Sequence, residues 1–448
     1  MKKKLAVIFV IALIVSLAAC GNSGNAGGGS SGGSADGKTV LTVWYWGEQE
    51  IPGYMSYMNE IVKRFEAAHS DVKVEAVMQD SDTLISAFRT AESAGAGPDV
   101  QYLWGGAVAL EDVWLGYITP LSDYITPEQM KDIDQSALAE TNWDGKQWAL
   151  PAYQVAMSVT YNKEMMADAG LDPENPYRTW DEFIDACEAL KQAGYTPFGA
   201  GLKDGWFCGW WAFLVGSGNL NSMGDLVSAV IGEANYADMK YSEWVYLYEE
   251  MLQKGYFNDD IQSLDFYQGE QLVENRQAAM TFFTHAYSNT LEAQMGSDVI
   301  GFAPIPVYGN GALKDSFTAQ TQVYLIPKSA KNKELAAEFI LFLQEEDNMK
   351  LLYDETYAFM PNANFNPEWA KTGIDQIVME WKSKFPVVSY QAFYPPMFEV
   401  EGLIPLVQSL TAGTETADSV AQKLDDTLAK WREQAPDQLE NFKKWGVE

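Results

Sequence analysis

Between residues 40 and 103 the chain switches repeatedly between two hydrophobic periods, and this restricts its fold more than any other feature. Val40-Leu41-Thr42-Val43-Trp44 reads as a buried strand that stops at Gly47. Met55, Met58, Ile61, Val62 and Phe65 then fall on one face of an amphipathic helix. Val72-Lys73-Val74-Glu75-Ala76-Val77 alternates as a second strand, and Leu84, Ile85 and Phe88 open a second helix. Gly97-Pro98 breaks the chain before Asp99-Val100-Gln101-Tyr102-Leu103, a third strand. Strands separated by helices pair in parallel through crossovers, so the fold class is α/β. In open sheets of this kind ligands sit beyond the carboxyl ends of the strands. That singles out residues 45–48, 80–82 and 104–106.

The N-terminus predicts where the protein works. Lys2-Lys3-Lys4 precede an apolar run over residues 5–15, and Leu17-Ala18-Ala19 precede Cys20. A basic start, a short apolar segment and small residues at the cut describe a secretory signal peptide. The run is shorter than the roughly 20 residues that span a bilayer core. A cysteine after Leu-Ala-Ala resembles the lipobox of bacterial lipoproteins, in which that cysteine is acylated and becomes the first mature residue. Ordinary cleavage near Ala18 or Ala19, with Cys20 incidental, is the other reading. Residues 21–38 are mostly Gly, Ser, Asn and Ala. Such a segment buries too little apolar surface to fold, and as a flexible tether it would reach roughly 23 Å.

Composition removes several partner classes. A net charge of −32 argues against nucleic acid and against adhesion to anionic lipid, since both require basic patches; high charge also keeps a secreted surface soluble. His69 and His285 are the only histidines, and no cysteine–histidine cluster has zinc spacing, so neither metal nor cofactor is expected. Cys187 shares a helical face with Phe183, Ile184 and Leu190 and reads as a core residue. A disulfide with Cys208 is open to an oxidising compartment, although nothing in the spacing demands it. Aromatic residues are abundant at 13 %, grouped in Trp44-Tyr45-Trp46, Tyr102-Leu103-Trp104, Trp206-Phe207 with Trp210-Trp211, and Phe393-Tyr394. Most should be core, and a concave site with flat, amphipathic walls would use the remainder.

Further along, Leu150-Pro151-Ala152-Tyr153 leads into a strand ending at Tyr161-Asn162. Thr179 and Glu182 are spaced as a capping box, and Gly194 closes the helix they open. Residues 279–283 and 323–327 read as strands, 302–306 as an extended segment, and 331–343 as an amphipathic helix. No repeat of fixed period is present.

Seven fragments then occur in a familiar order. They are Gly97-Pro98-Asp99-Val100, the stretch from Asp144-Gly145-Lys146 to Leu150-Pro151, Tyr161-Asn162-Lys163, and the helix opening from Pro176 to Phe183. Ala278-Ala279-Met280, Pro304-Ile305-Pro306 and the stretch from Asn332-Lys333-Glu334 to Phe339 complete the set. Over residues 42–343 the chain resembles the extracellular solute-binding proteins of carbohydrate ABC importers, the family that includes maltodextrin-binding protein.

The resemblance implies a periplasmic-binding-protein-like fold: two α/β lobes with a hinge and an interlobe ligand cleft. Residues 1–19 would be the leader and 20–38 the acylated cysteine with its tether. Residues 39–150 and 304–355 would form lobe one, and 151–303 and 356–448 lobe two. The chain would cross near 150–156, return near 303–306, and cross again after about 355. The function implied is capture of a sugar or oligosaccharide and delivery to the transmembrane subunits of a permease, with no bond broken. The protein would act as a monomer on the extracytoplasmic face, held to the membrane by lipid on Cys20.

Matching positions carry the expected cleft residues. The strand-end loops offer Tyr45, Trp46, Glu48, Asp80, Asp82 and Trp104, and the first crossing offers Tyr153 and Gln154. A loop holding Trp206 and Trp210 would supply an aromatic wall. His285 and Tyr287 occupy a loop where many relatives place tryptophan, a departure that bears on sugar preference. Gln322, Tyr357, Asn362 and Tyr394 are further candidates. Trp44 and Trp211 are expected in the core, and Asp99 as a cap or anchor. The chemistry suits a pyranose, whose CH faces lie on aromatic rings while its hydroxyls bond carboxylates and amides.

Two other classes compete. An aromatic box with carboxylates also suits a polyamine, whose binding would weaken steeply with salt. A secreted glycosidase needs two carboxylates at about 5–5.5 Å or 6.5–9.5 Å. Beyond the tether the chain holds no Gly-x-Ser-x-Gly elbow, no phosphate loop and no His-Glu-x-x-His.

Overall fold

The structure, a computed structural model, describes residues 37–446; the leader, Cys20 and almost all of the tether lie outside the described residues. The three expected strands form as Thr39–Tyr45, Val72–Met78 and Val100–Trp104. The first pairs in parallel with both others, in register Thr39 with Val72 and Val43 with Val100. Leu41, Val43 and Tyr45 share its buried face, while Trp44 alternates to the other side and is partly buried against the core. Asp99 anchors this edge, accepting from Thr42 N and Oγ1 at 3.0 Å and from Lys331 N at 2.8 Å. It thereby ties the first strand to the start of helix Lys333–Phe342.

Two long strands lie side by side in the middle of the sheet. Ala149–Asn162 is buried throughout, as expected where both faces of a sheet are covered. Along its first part it pairs antiparallel with Phe317–Pro327, from Ala149 opposite Leu325 to Met157 opposite Thr318. From Met157 onward its partners are Ala278–Thr284 and, on the other edge, Ile300–Ala303. Thr196–Phe198 extends the far end in parallel. The sheet is therefore continuous, and its two halves meet near Met157.

Each half has its own aromatic core. Tyr54, Tyr57, Tyr102, Tyr153 and Tyr324 are buried on the first side, and Phe198, Phe207, Trp211, Phe257 and Phe282 on the second. Trp211 lies fully buried, as expected. Cys187 and Cys208 are both buried free thiols, so the bridge left open by spacing is not formed.

Helix openings follow local chemistry. Thr179 and Glu182 form the capping box of Trp180–Gln192, with Thr179 N donating to Glu182 at 3.0 Å. Two segments read as loops prove to be helices. Thr284 accepts from Tyr287 N at 3.1 Å and starts His285–Met295, while Gly205, at φ 88°, turns the chain into Trp206–Val215. The C-terminal part adds a π-helical turn, Phe398–Leu403, and three helices, Ile404–Thr411, Ala417–Gln434 and Pro436–Gly446. Among the described residues no helix is long and apolar enough to cross a membrane.

Candidate ligand cleft

A hollow of about 480 Å³ opens at the carboxyl ends of the first lobe's strands. Trp46 follows the first strand, Asp82 precedes helix Leu84–Ser93, and Trp104 ends the third strand; all three line the hollow. The rings of Trp46 and Trp104 lie 5.5 Å apart, forming an aromatic floor. The facing wall is helix Trp206–Val215, which presents Trp206 and Trp210, with Phe266 and Tyr267 from helix Phe266–Glu274 beside them. Trp210 and Phe266 pack with centroids at 4.9 Å. Trp206 Nε1 donates to Asp82 Oδ1 at 2.9 Å, so one hydrogen bond spans the two walls.

Glu50 and Glu399 give the hollow its polar character. Glu50 is 3 % exposed and accepts from Tyr153 OH at 2.7 Å and from Gln322 Nε2 at 3.1 Å. Its backbone carbonyl accepts from Thr284 Oγ1, so this residue touches both halves of the sheet. Burial pushes its carboxyl from 4.5 up to about 7, against the two hydrogen bonds. Glu399, on the π-helical turn, is likewise raised by burial to about 7. Arg89 also lines the hollow and is held by Glu111 and Asp112, each at 2.5 Å.

Of the residues expected from the sequence, the structure brings Trp46, Asp82, Trp104, Trp206 and Trp210 together here. Tyr153 and Gln322 stand one layer behind, where they hold Glu50. The others have structural duties away from the lining. Tyr45 is core, and Gln154 donates to Thr321 within the sheet at 3.2 Å. Glu48 receives Gly53 N at 3.1 Å and Met55 N at 2.6 Å, closing the open amides of helix Tyr54–Ala68. Asp80 turns back on its own loop by accepting from Asp82 N.

His285 is fully buried, its Nδ1 accepts from Ala156 N at 3.1 Å, and burial drives its imidazole down to about 4. Tyr287 stacks on Phe283 at 3.9 Å. Tyr357 ends helix Glu346–Thr356 at φ 59°, and Asn362 lines a separate hollow with Phe359 and Lys382. Tyr394 is buried, bonded through its phenol to Tyr236. Glu50, Phe266, Tyr267 and Glu399 escaped the sequence reading. Glu50 was within reach of it, lying two residues past Glu48 and just beyond the loop singled out at 45–48.

A family model described as bacterial extracellular solute-binding protein matches residues 49–350. The chain belongs to this family. This solute-binding protein is 26 % identical over 363 residues to the maltodextrin-binding protein MdxE of Bacillus subtilis, a match covering 80 % of each chain. It is 33 % identical over 193 residues to the diacetylchitobiose binding protein DasA of Streptomyces coelicolor, covering 42 % of this chain and 43 % of that one. Among solved structures it is similar to a chitin oligosaccharide binding protein, with a TM-score of 0.78 at 21 % identity over 88 % of this chain and 98 % of the other. It also resembles the GacH receptor of Streptomyces glaucescens, solved unliganded and with acarbose, at a TM-score of 0.71 and 17 % identity over 89 % of this chain and 98 % of that one. These structural likenesses show the fold: a two-lobed α/β solute-binding protein. Its family binds solutes and does not transform them.

Proposed function

We propose that this solute-binding protein captures a sugar or oligosaccharide between its lobes and delivers it to the permease of an ABC importer. The observation that carries the reading is the Trp206–Asp82 bond across a hollow whose floor and facing wall are both aromatic. A pyranose inserted there would stack on tryptophan rings and find carboxylates at its rim. Relatives named for maltodextrin and diacetylchitobiose support the same ligand class.

In this reading the lobes close around one guest. A ligand touching both walls binds the closed arrangement better and shifts the population toward it. We place the hinge where Ala149–Asn162 and Phe317–Pro327 pass between the half-sheets, with the backbone pair Gln154–Phe359 beside them. The proposed lobes divide where the half-sheets meet, near Met157 on one strand and Phe317 on the other, instead of at 151 and 304: Tyr153 packs in the first core, while Val307 N and Leu313 N donate to Arg178 and Leu220 of the second half. Acylated Cys20 and the tether would hold a monomer at the extracytoplasmic face of the membrane.

A thermal-shift panel of mono- and oligosaccharides, with spermidine as control, tests the reading. A specific sugar at a hundredfold excess over its Kd should add about 2.7 kcal/mol of stability. A shift with spermidine and with no saccharide would refute it.

A further inference from the structure

The charges around the cleft do not balance. Its lining holds the carboxylates of Glu50, Asp82, Glu111, Glu399 and Glu401 against a single cation, Arg89. Arg89 is already engaged by Glu111 and Asp112, and Glu401 is paired with Lys430 at 2.5 Å. Among the described residues Glu50, Asp82 and Glu399 have no ion-pair partner. Glu50 receives only neutral donors, Asp82 receives the Trp206 indole, and Glu399 receives no hydrogen bond at its carboxylate.

Three further observations point the same way. Glu270, on the helix that carries Phe266 and Tyr267, is 2 % exposed, and neither of its carboxyl oxygens has a partner. The Tyr267 phenol at the cleft lies in the combined field of Glu50, Glu270, Asp204 and Asp82. On the other side, a side chain at Gly209 would meet Glu399 Oε1 at 2.5 Å. The absence of a Cβ there lets this carboxylate stand against helix Trp206–Val215, at the wall that carries the tryptophans.

A neutral saccharide can donate hydroxyl protons to these groups but cannot cancel their charge. Closing the lobes would then either seal unpaired carboxylates away from water, which is costly, or make Glu50 and Glu399 take up protons, as burial already favours. A guest ammonium would neutralise them through charge-assisted bonds and would also be attracted to the tryptophan faces. We infer that the cleft is built for a saccharide bearing a protonated amine, received by Glu399 with Asp82 and Glu50 as the other facing carboxylates. This rests on the saccharide reading above and narrows it to amino sugars.

Calorimetric titration of the full-length protein decides the matter, with glucosamine oligomers, their N-acetylated counterparts, maltooligosaccharides of equal ring count, and spermidine as probes. The glucosamine oligomers should bind roughly tenfold or more tighter than either other saccharide series, and added salt should erode that advantage. Glu399→Gln should collapse the preference to near parity; Asp82→Asn serves if that variant does not fold. Neutral or N-acetylated oligomers binding as tightly as the amines would overturn this inference and leave the saccharide reading standing. Spermidine binding with every saccharide silent would overturn both.

Discussion

Trp206 and Asp82 come from opposite walls of the cleft, and the indole Nε1 of one lies 2.9 Å from the carboxylate of the other. Nothing local couples them, since 124 residues separate them in the chain. Their bond needs the two walls to be near each other, so under the proposed lobe closure it would favour the closed arrangement.

Trp206→Phe keeps the ring and removes the donor. It should weaken ligand binding by about 0.5–1.5 kcal/mol, the net value of one hydrogen bond in a solvated setting. Scattering should show a larger radius for the unliganded variant than for wild type. Identical curves together with unchanged affinity would mean the bond does not help close the lobes.

The stability of the protein should depend on pH through Glu50. Its folded carboxyl titrates at about 7 and the ordinary glutamate value is 4.5. Between those values the folded state keeps a proton that the unfolded chain has lost. The contribution of Glu50 to stability is therefore fullest below 4.5 and declines as pH rises through 7. Glu50→Gln should flatten this slope relative to wild type in urea melts across the same range. Parallel curves would show that the group is not desolvated as described.

His285 acts with the opposite sign. Its imidazole is lowered from 6.5 to about 4 by burial, so the unfolded chain takes up a proton that the folded one refuses. Stability should fall as pH drops from 6.5 toward 4, and His285→Gln should remove that fall. His285→Ala should cost about 1–3 kcal/mol, because Ala156 N loses its buried acceptor. A mutant as stable as wild type in equilibrium urea unfolding would contradict this role.

Gly269 sits inside helix Phe266–Glu274, where alanine is ordinarily better by about 1 kcal/mol. Here a Cβ would meet Gly201 N at 2.2 Å and Ala200 C at 2.3 Å, both of them backbone atoms. Gly269→Ala should therefore destabilise the protein and displace Phe266 and Tyr267 from the cleft wall. Unfolding midpoints and ligand titration would both register it; a stabilised variant with normal affinity would disprove the close approach.

Much of the framework was legible because it depends on near neighbours. The strands at 40–44 and 72–77 declare themselves by alternation, and the Thr179–Glu182 capping box involves residues three apart. That Trp46, Asp82 and Trp104 would line one hollow was legible for a related reason. Parallel strands put their carboxyl ends on one side, so the loops that follow share a face. His285 misled because it too follows a strand end, yet Thr284 caps a helix there and turns the imidazole into the core.

What the amino-acid order determined alone was the α/β alternation, the strand-end loops and the supply of aromatics and carboxylates. Tertiary structure decided which of them meet. Gln322 faces Tyr153 through sheet register, and their side chains converge on Glu50 from strands far apart in sequence. Tyr267 and Glu399 enter the cleft because distant helices pack as they do, with Gly269 and Gly209 permitting the approach. Periodicity and capping act within about four residues, whereas a cleft is defined by packing among segments hundreds of residues apart, and no local pattern encodes that.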